Sequence, residues 1–371
     1  MPHILSINCG STSVKYKLFQ INDSSKLPLL QLKKTGSFSD NQISDKIFQS
    51  IASDLAKFST PEIIGHRVVL AGPKYRQPIK ITRAITAAIK TYKHLAPLHN
   101  PYNLKGIVLA KKYFPNALHF AVFDTGFYKN LPQKAKIYPI PYKFYKKYHI
   151  FKYGFHGLSH QYAAFGAAKI LKKDLKNLNL IICHLGGGSS ITAVRGGQAI
   201  DTSMGFTPLE GLMMWSRPGD MDVGILLNRH LIIQAGQKKS SNWDIEILRY
   251  WKRILNYESG LKGVSGCRNY LDLLKKRRQG NQRAKLAFEM FIYRIQKYIG
   301  AYFAALGGQV DALVFTGQIG SGLPITRQAI CRNLGLPAGI KKLVIPADEE
   351  YEIARSVIEN NESANNSKFK S

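Results

Sequence analysis

The sequence predicts an α/β protein with two similar α/β domains, and three observations support this prediction. An apolar strand, a Gly/Ser turn and a second apolar strand follow one another at residues 4–15, and the same pattern returns at residues 180–194. Runs rich in β-branched residues alternate with helical periodicity in both halves of the chain. The length of 371 residues exceeds what one hydrophobic core usually fills. A pattern that returns once in each half indicates a duplicated domain.

The predicted elements follow in order along the chain. Strands are predicted at 3–7, 14–21, 63–70, 118–123, 179–183, 189–194, 312–316 and 342–346. Helices are predicted at 82–95, 159–173 and 284–306, and the last carries apolar residues at helical spacing, which is typical of a core helix. The Tyr/Lys/Pro-rich stretch near residue 145 separates an N-terminal domain, 1–145, from a C-terminal domain, 146–346. A helix at about 347–359 is expected to pack on the N-terminal domain, and the polar residues 360–371 are expected to be disordered.

Composition limits the class of protein. Apolar residues make up 45% of the chain, which is ample for buried cores, and no apolar run approaches the roughly 20 residues of a membrane-spanning helix. The N-terminus enters a strand at once, without the pattern of a secretory signal, so a cytoplasmic protein is expected. The four cysteines lie far apart in sequence and are expected to be small buried hydrophobes.

The net charge of +30 has two interpretations. A basic run such as residues 275–278 could follow a nucleic-acid backbone through a salt-dependent attraction. The excess of lysine and arginine is, however, spread along the whole chain and is not gathered in one stripe interleaved with aromatic residues. Neither a nucleic acid nor a membrane is therefore expected as a partner.

The two Gly/Ser turns have the composition of phosphate-binding loops. Glycine lets the backbone approach an anion closely, while turned N–H groups and hydroxyls supply hydrogen bonds. Such a turn between strands is more often an ordinary hairpin. The repetition favours a nucleotide or polyphosphate site in a cleft.

Four further positions carry side chains that a fold alone does not require. Arg67 opens a β-branched run, and its planar fork suits a carboxylate or phosphate, although a surface salt bridge is the alternative. Asp124 ends an apolar strand, where open α/β sheets bind ligands, although it could cap the next element. His156 lies in a glycine-flanked turn and Arg217 in a tight Pro/Gly loop; either could have a structural role only.

Together these segments resemble the acetate kinases, members of the actin, sugar-kinase and heat-shock ATPase superfamily. The resemblance runs from about residue 4 to residue 356. The matching segments are Asn8-Cys9-Gly10-Ser11-Thr12-Ser13-Val14-Lys15, His66-Arg67-Val68-Val69, Leu95-Ala96-Pro97-Leu98-His99-Asn100-Pro101, Phe123-Asp124-Thr125, Tyr153-Gly154-Phe155-His156-Gly157, His184-Leu185-Gly186, Asp201-Thr202-Ser203-Met204-Gly205-Phe206-Thr207-Pro208-Leu209-Glu210-Gly211, and Asp348-Glu349-Glu350. The family implies two duplicated RNase H-like α/β domains flanking a central cleft. It also implies a homodimer that transfers a phosphoryl group reversibly between ATP and acetate with Mg²⁺.

The resemblance assigns the acetate side of the site to named residues. Arg67 would hold the carboxylate, and Asp124 would orient the carboxylate or the arginines. His156 and Arg217 would neutralise charge on the phosphoryl group as it passes in line between oxygens. A small apolar pocket for the methyl group would be lined by Val69, Leu98, Phe155 and Pro208. One methylene changes binding by only about 1–3 kcal/mol, so propionate should also react.

The metal and donor sites are assigned in the same way. Asn8 and Glu349 would position Mg²⁺, a hard cation that prefers oxygen ligands. Lys15 and His184 would face the donor phosphates. The predicted donor-binding residues are completed by Gly186, Gly187, Gly188, Gly317, Gln318, Ile319 and Gly320.

The chain departs from the family on the donor side. Residues 186–188 read Gly-Gly-Gly where the family has Gly-Asn-Gly, and residues 270–272 read Tyr-Leu-Asp where the family has Asp-x-Arg. The adenosine loop at residues 317–322 carries Gln318 in place of a bare glycine. Its side chain is expected to fill the adenine pocket or to turn away from it. The donor is therefore open between ATP, another nucleotide and pyrophosphate, and a propionate kinase or a catalytically impaired binding or regulatory homologue are the further alternatives.

Overall fold

A computed structural model of the chain describes residues 1–10, 13–22, 29–39, 43–228 and 243–368. The first predicted Gly/Ser turn includes residues 11 and 12, and the predicted tail includes residues 369–371; these lie outside the described residues. The chain divides into two compact units. The first contains Met1–Lys169 with Ala347–Ser371, and the second contains Ile170–Pro346.

The first unit is built on a six-stranded sheet with the order β3-β2-β1-β4-β6-β5. Its strands are β1 (His3–Cys9), β2 (Ser13–Asn22), β3 (Leu29–Ser39), β4 (Ile63–Val68), β5 (Ile79–Lys80) and β6 (Leu118–Phe123). Its helices are Asp45–Leu55, Arg83–Thr91, Asn100–Tyr113, Gln133–Lys136, Lys143–Tyr148, Gly157–Leu171 and Glu349–Lys368. Short 3-10 turns occur at Tyr92–His94 and Gly126–Tyr128. The Gly157–Leu171 helix continues two residues into the second unit.

The second unit is built on a five-stranded sheet with the order β11-β10-β7-β8-β9. Its strands are β7 (Asn179–Leu185), β8 (Ser189–Arg195), β9 (Gln198–Thr202), β10 (Ala312–Thr316) and β11 (Lys341–Val344). Its helices are Gly224–Leu227, Trp243–Arg253, Gly260–Ser265, Tyr270–Arg278, Gln282–Ala305, Gly317–Gly322 and Pro324–Cys331, with a 3-10 turn at Leu175–Asn177 and a π turn at Ile254–Glu258. The core lies between the sheet and the Gln282–Ala305 helix, which buries Phe288, Phe291 and Ile295.

Five strands of the first sheet repeat the topology of the second sheet, which confirms the predicted duplication; β5 is the additional strand. In each unit three strands form an antiparallel meander, β1-β2-β3 and β7-β8-β9. In the first unit β1 then pairs in parallel with β4, and β4 pairs in parallel with β6. In the second unit β7 pairs in parallel with β10, and β10 pairs in parallel with β11. All eight predicted strands are present at the predicted places. The α/β fold predicted from the sequence is therefore correct.

The unit boundaries differ in one place from the sequence-based domain limits. The boundary lies between Lys169 and Ile170, whereas the Tyr/Lys/Pro-rich stretch suggested residue 145. That stretch and most of the following helix belong to the first unit because Leu158 packs in its core. The helix Glu349–Lys368 packs on the same core through Ile353 and Val357, and it continues through residues expected to be disordered. No helix among the described residues is long and apolar enough to cross a membrane.

Candidate active site

The first unit brings Arg67 and Asp124 together at the carboxyl ends of adjacent parallel strands. Arg67 lies near the end of β4 and Asp124 directly follows β6, where its backbone nitrogen donates to Val68 O at 3.0 Å. The Arg67 Nη2 atom donates to Asp124 Oδ2 at 2.7 Å, and Nε lies 3.2 Å from both carboxylate oxygens. Asp124 is 1% exposed. The pair is thus a buried, bidentate ion pair, which excludes the surface salt bridge as the role of Arg67.

Two further acceptors surround the same guanidinium. Arg67 Nη1 donates to Asn8 Oδ1 at 3.2 Å and lies 3.0 Å from Glu349 Oε2. The Asn8 Nδ2 atom donates in turn to Glu349 Oε2 and to Glu350 Oε1, both at 2.9 Å. A guanidinium has five N–H groups. Among the described residues, these contacts leave one Nη2 N–H of Arg67 without an acceptor.

The electrostatics of this network follow from its burial. Burial lowers the pKa of Arg67, but the charges of Asp124 and Glu349 outweigh that effect and hold it above its ordinary value. Burial raises the pKa of Asp124, and the charge and hydrogen bonds of Arg67 oppose that rise. The network contains three carboxyl groups, those of Asp124, Glu349 and Glu350, and one guanidinium. The network therefore favours the binding of a cation.

The expected magnesium ligands fit this surplus of oxygen donors. Asn8 and Glu349 lie in the network, and Glu350 adds a second carboxylate beside them. Within the described ranges, no three His, Cys, Asp or Glu side chains group closely enough to hold a metal by themselves. Mg²⁺ commonly uses one or two carboxylates and completes its shell with water and substrate phosphates. The residues present therefore suit a magnesium ion that arrives with phosphate, not an all-protein site.

His156 lies in a strained turn that is tied to the Asp124 segment. It adopts φ +58°, a left-handed conformation that is uncommon for a residue with a side chain. The next residue, Gly157, donates its backbone N–H to Asp124 O at 3.0 Å. The hydroxyl of Tyr128 donates to Phe155 O at 2.8 Å. These two bonds fix the turn on both sides of His156.

Three other predicted residues of the first unit, Val69, Phe155 and Lys15, lie close to the same strand ends. Val69 and Phe155 are buried, Leu98 is half-buried, and Lys15 is exposed on β2 directly across from Asn8. Asn103 anchors this region, because it accepts from Val69 N at 3.1 Å and donates to Cys9 O at 2.8 Å. It thereby joins the ends of β4 and β1. Pro208, the fourth predicted pocket residue, belongs to the second unit.

The second unit places the predicted phosphate residues at the ends of two adjacent strands. Residues 186–188 form the turn between β7 and β8, and Gly317 follows β10 with φ +77°. A Cβ on Gly317 would lie 2.6 Å from Leu185 O, so only glycine allows this approach. His184 pairs with Thr316 across the parallel strands β7 and β10. The two loops and His184 therefore lie together, with Gly187 exposed.

A cavity of about 450 Å³ opens beside these loops. Gly186, Gly187, Gln318 and Ile319 line it, so four of the predicted donor residues lie in one cavity. Its other lining residues are Trp215, Asn269, Tyr270, Leu271, Gly322 and Leu323. Gln318 is exposed at the wall, and its side-chain amide has no hydrogen-bond partner among the described residues. The Gln318 side chain therefore does not fill this cavity.

The residues that replace the Asp-x-Arg motif divide between two roles. Tyr270 and Leu271 line the cavity. Asp272 serves the start of the Tyr270–Arg278 helix, because its Oδ2 accepts from Arg268 N at 2.9 Å. Its own N–H is capped by Asn269 Oδ1 at 2.9 Å. The carboxylate is therefore engaged locally and is not among the residues that line the cavity.

Arg217 is buried in a loop that is joined to the phosphate turn. Its Nη1 atom donates to Pro208 O at 2.8 Å, and no carboxylate in the described ranges lies within ion-pair distance. Burial lowers the pKa of Arg217 to about 10, so it keeps its charge at neutral pH. Trp215 N donates to Gly187 O at 3.2 Å, and Met214 N donates to Arg217 O at 2.9 Å. A buried cation bonded only to a carbonyl is available to an anion.

Two residues of the site were not predicted. Glu350 stands next to Glu349 in the sequence, and the resemblance carried over only one of the two acids; the hydrogen bond from Asn8 identifies the second. Trp215 stands two residues before Arg217, and its position in the cavity wall depends on tertiary contacts that no local pattern indicates.

Comparison with known proteins gives one consistent result. A model of the acetokinase family matches residues 32–368. An acetate kinase of Sulfurovum sp. is 44% identical, with 79% of this chain and 77% of the relative covered, and one of Helicobacter pylori is 38% identical, with 95% and 97% covered. The crystal structure of Porphyromonas gingivalis acetate kinase has a TM-score of 0.79 at 33% identity, covering 96% of this chain and 99% of the other. The crystal structure of a propionate kinase from Francisella tularensis has a TM-score of 0.82 at 32% identity, with the same coverage.

Proposed function

The chain belongs to the acetokinase family, and we propose that it catalyses reversible phosphoryl transfer between ATP and acetate, which gives acetyl phosphate and ADP. One observation carries the proposal: the buried network that joins Arg67 to Asp124, Asn8 and Glu349. Such a network costs free energy in desolvation, and an apolar core would need none of it. It is accounted for when the site must hold an anion and a metal-bound phosphate side by side.

The network restricts how acetate binds. Because most N–H groups of Arg67 already have acceptors, Arg67 offers a carboxylate one Nη2 N–H and a positive charge. The carboxylates of Glu349 and Glu350 would repel an anion at this place. A cation near Asn8 and Glu349 removes that repulsion. Acetate binding should therefore depend on Mg²⁺.

The phosphoryl step needs no covalent bond to the protein. A carboxylate oxygen of acetate attacks the γ-phosphorus, the bond from phosphorus to the bridging oxygen breaks, and ADP leaves with that oxygen. When bound, Mg²⁺ supplies positive charge to the phosphate oxygens. Arg67 orients the acetate, and His156 and Arg217 stabilise negative charge on the group in transfer. Asp124 holds Arg67 in place.

The cavity of the second unit supports a nucleotide as donor. Pyrophosphate needs a polar site for phosphates only, whereas this cavity of about 450 Å³ adds aromatic and aliphatic side chains, Trp215, Tyr270 and Leu271, beside the glycine turn. A purine can stack or pack against such walls. We therefore propose ATP, with Lys15, His184 and the glycine turns at its phosphates. The altered motif leaves Gln318 as a polar group beside the base.

The experiment is a donor and acceptor screen on the purified protein. Acetate and propionate are each combined with ATP, GTP or pyrophosphate, with and without Mg²⁺, and hydroxylamine traps any acyl phosphate. We expect acetate with ATP and Mg²⁺ to give the fastest reaction and propionate a slower one. Activity with pyrophosphate alone would reject the nucleotide donor. A protein that binds ATP and acetate without turnover would be the impaired homologue.

Quaternary structure and location form a separate part of the proposal. We propose a homodimer in the cytoplasm, as the family resemblance implies. Light scattering coupled to gel filtration tests the dimer, and fractionation of the source cells tests the location. A monomer that is fully active would remove the dimer from the proposal.

A further inference from the structure

Arg76 is a buried arginine whose hydrogen bonds all go to the backbone. It is 9% exposed and lies in the segment between β4 and β5. Its Nε and Nη2 atoms donate to Thr125 O at 3.0 and 2.7 Å, and Nη2 also donates to Tyr153 O at 2.9 Å. Within the described ranges, no carboxylate forms an ion pair with it. The guanidinium therefore joins two backbone segments that are 28 residues apart in sequence.

These two segments carry the predicted catalytic residues of the first unit. Thr125 directly follows Asp124, and Tyr153 stands three residues before His156. The guanidinium also lies over the ring of Tyr153, 5.4 Å from its centroid. A shift of Arg76 would therefore be passed to Asp124 on one side and to His156 on the other.

Close packing around Arg76 makes this connection stiff. A Cβ on Gly126 would lie 2.6 Å from Arg76 O, so the Asp124 segment touches the backbone of Arg76 as well as its side chain. Gly154 adopts φ +74°, and a Cβ there would lie 2.4 Å from the ring of Tyr128. Neither glycine has room for a side chain. The two segments thus cannot shift separately without breaking contacts.

The chemistry of arginine explains why this residue type occupies the position. Burying a cation without a carboxylate is costly, and an apolar side chain could fill the same volume at less cost. Burial lowers the pKa of Arg76 to about 10, so it remains charged at neutral pH. The planar guanidinium offers two carbonyls a fixed geometry, whereas the ammonium of lysine is a point charge on a flexible stem. The fixed fork is the property that only arginine supplies.

We propose that Arg76 is a positioning residue that holds the Asp124 and His156 segments in the register required for phosphoryl transfer. The inference rests on the proposed function. It predicts a specific kinetic pattern, because a displaced His156 affects the group in transfer, whereas Asn8 and Glu349 still hold Arg67 when its contacts to Asp124 shift. Loss of the fork should lower turnover much more than it weakens acetate binding.

The test compares Arg76→Gln with the wild type in the hydroxylamine assay. We expect kcat to fall by about 100-fold, the scale of a displacement near 1 Å in a reacting geometry. The KM for acetate should change by less than about threefold. Arg76→Lys should keep the fold, since it keeps the charge, and still lose at least about tenfold in kcat because it cannot hold both carbonyls at once.

Arg355→Gln is the matched control. Arg355 is a half-buried arginine of the first unit; it pairs with Glu352 at 2.5 Å and lies 3.7 Å over the ring of Phe165. It touches neither segment of the site. Arg355→Gln should lower the melting temperature as much as Arg76→Gln does, or more, while keeping kcat near the wild-type value.

Three results would overturn the inference: a wild-type kcat in folded Arg76→Gln, a wild-type kcat in Arg76→Lys if the glutamine variant does not fold, or an equal loss of kcat in Arg355→Gln. Each of these leaves the wild-type enzyme active. A wild-type protein that forms no acyl phosphate from any donor would instead defeat the proposed function.

Discussion

The backbone nitrogen of Gly157 donates to the carbonyl oxygen of Asp124 at 3.0 Å, and a Cβ on residue 157 would lie only 1.9 Å from that oxygen. No side chain fits this contact, so Gly157→Ala must push the His156 turn away from Asp124. We expect the free energy of unfolding to fall by about 1–3 kcal/mol, as in overpacked cores. The kcat should also fall, by more than the loss of folded protein accounts for. Urea denaturation and the hydroxylamine assay measure the two effects.

Gly300→Ala is the control for this prediction. Gly300 lies inside the Gln282–Ala305 helix, and a Cβ there would meet nothing within 4 Å. Alanine in a helix interior should raise the free energy of unfolding by about 0.5–1 kcal/mol. Similar losses in both variants would show that the Gly157 contact has no special role.

Arg217→Ala should lower turnover far more than it changes the KM for acetate. Its guanidinium is buried and charged, and no described residue supplies it with a carboxylate partner, which suits charge that develops only in the transition state. Loss of one such group costs on the order of 10²–10³ in rate. Steady-state kinetics with varied acetate measures both constants. Unchanged kcat would remove Arg217 from the catalytic set.

Arg67→Ala should behave differently, because Arg67 is expected to hold acetate in the ground state. The KM for acetate should rise by at least about tenfold, and removal of Arg67 also leaves the buried Asp124 without its partner. A double variant, Arg67→Ala with Asp124→Asn, removes that unpaired charge and should recover stability but not acetate binding. Recovery of acetate binding in the double variant would contradict the assignment.

The three strands that were not predicted from the sequence, β3, β5 and β9, all lie at sheet edges. β3 is largely exposed and rich in lysine, so it lacks apolar alternation, and its pairing with β2 stabilises it. The Asn100–Tyr113 helix escaped prediction for another reason. It contains Gly106, where a Cβ would lie 2.3 Å from the Sγ atom of Cys9, so packing against β1 selects a residue that disfavours helix.

The candidate site likewise contains residues that the sequence indicates and one that it does not. Arg67, Asp124, Asn8 and Glu349 stand in short motifs, and the structure brings all four into one hydrogen-bonded network. Arg76 stands in no motif. Its role depends on two carbonyl oxygens, and every residue has a carbonyl oxygen, so no side-chain pattern marks the partners. Backbone partners can be identified only from the structure.

The buried pair of His66 and His119 predicts a pH dependence of stability. Their rings lie edge to edge at an interplanar angle of 16°, with His66 Nε2 2.9 Å from His119 Nδ1, and His119 Nε2 lies 3.1 Å from Phe114 O. Since that carbonyl can only accept, we assign His119 a proton on Nε2 and His66 the role of donor to Nδ1. Burial lowers the pKa of both histidines, and the nearby charge of Lys111 adds to the effect. Both are therefore neutral in the folded protein at neutral pH.

The sign of the effect follows from proton binding. Unfolded histidines have a pKa of about 6.5, so below that pH the unfolded chain binds more protons than the folded one. Stability should fall as the pH is lowered from 7 to 5.5, with a limiting slope on the order of 1 kcal/mol per pH unit for each histidine. His119→Gln should flatten this slope, whereas His94→Gln, at an exposed position, should not. Equal slopes in all three proteins, measured by urea denaturation, would reject the role of the pair.

The position of the Gln318 side chain is expected to set the KM for ATP. Its exposed side chain stands at the wall of a cavity that remains open at about 450 Å³, and its amide has no partner among the described residues. If the side chain rotates inward when no base is bound, it competes with the purine, and Gln318→Gly should lower the KM for ATP while the KM for acetate stays constant. If it already lies against the wall and donates to the base, the same substitution should raise the KM for ATP.

The two cases are separated by kinetics with ATP and pyrophosphate on both proteins. Side-chain rotamers of glutamine differ by little free energy, so both positions of the side chain are accessible. We expect Gln318→Gly to lower the KM for ATP, because a long side chain beside a stacked base loses rotamer freedom when the base enters. Gln318→Leu is the matched control, since it keeps the volume and removes the amide. If steric competition is the cause, the leucine variant should bind ATP no better than wild type, whereas a wild-type KM in both variants would show that Gln318 does not touch the donor.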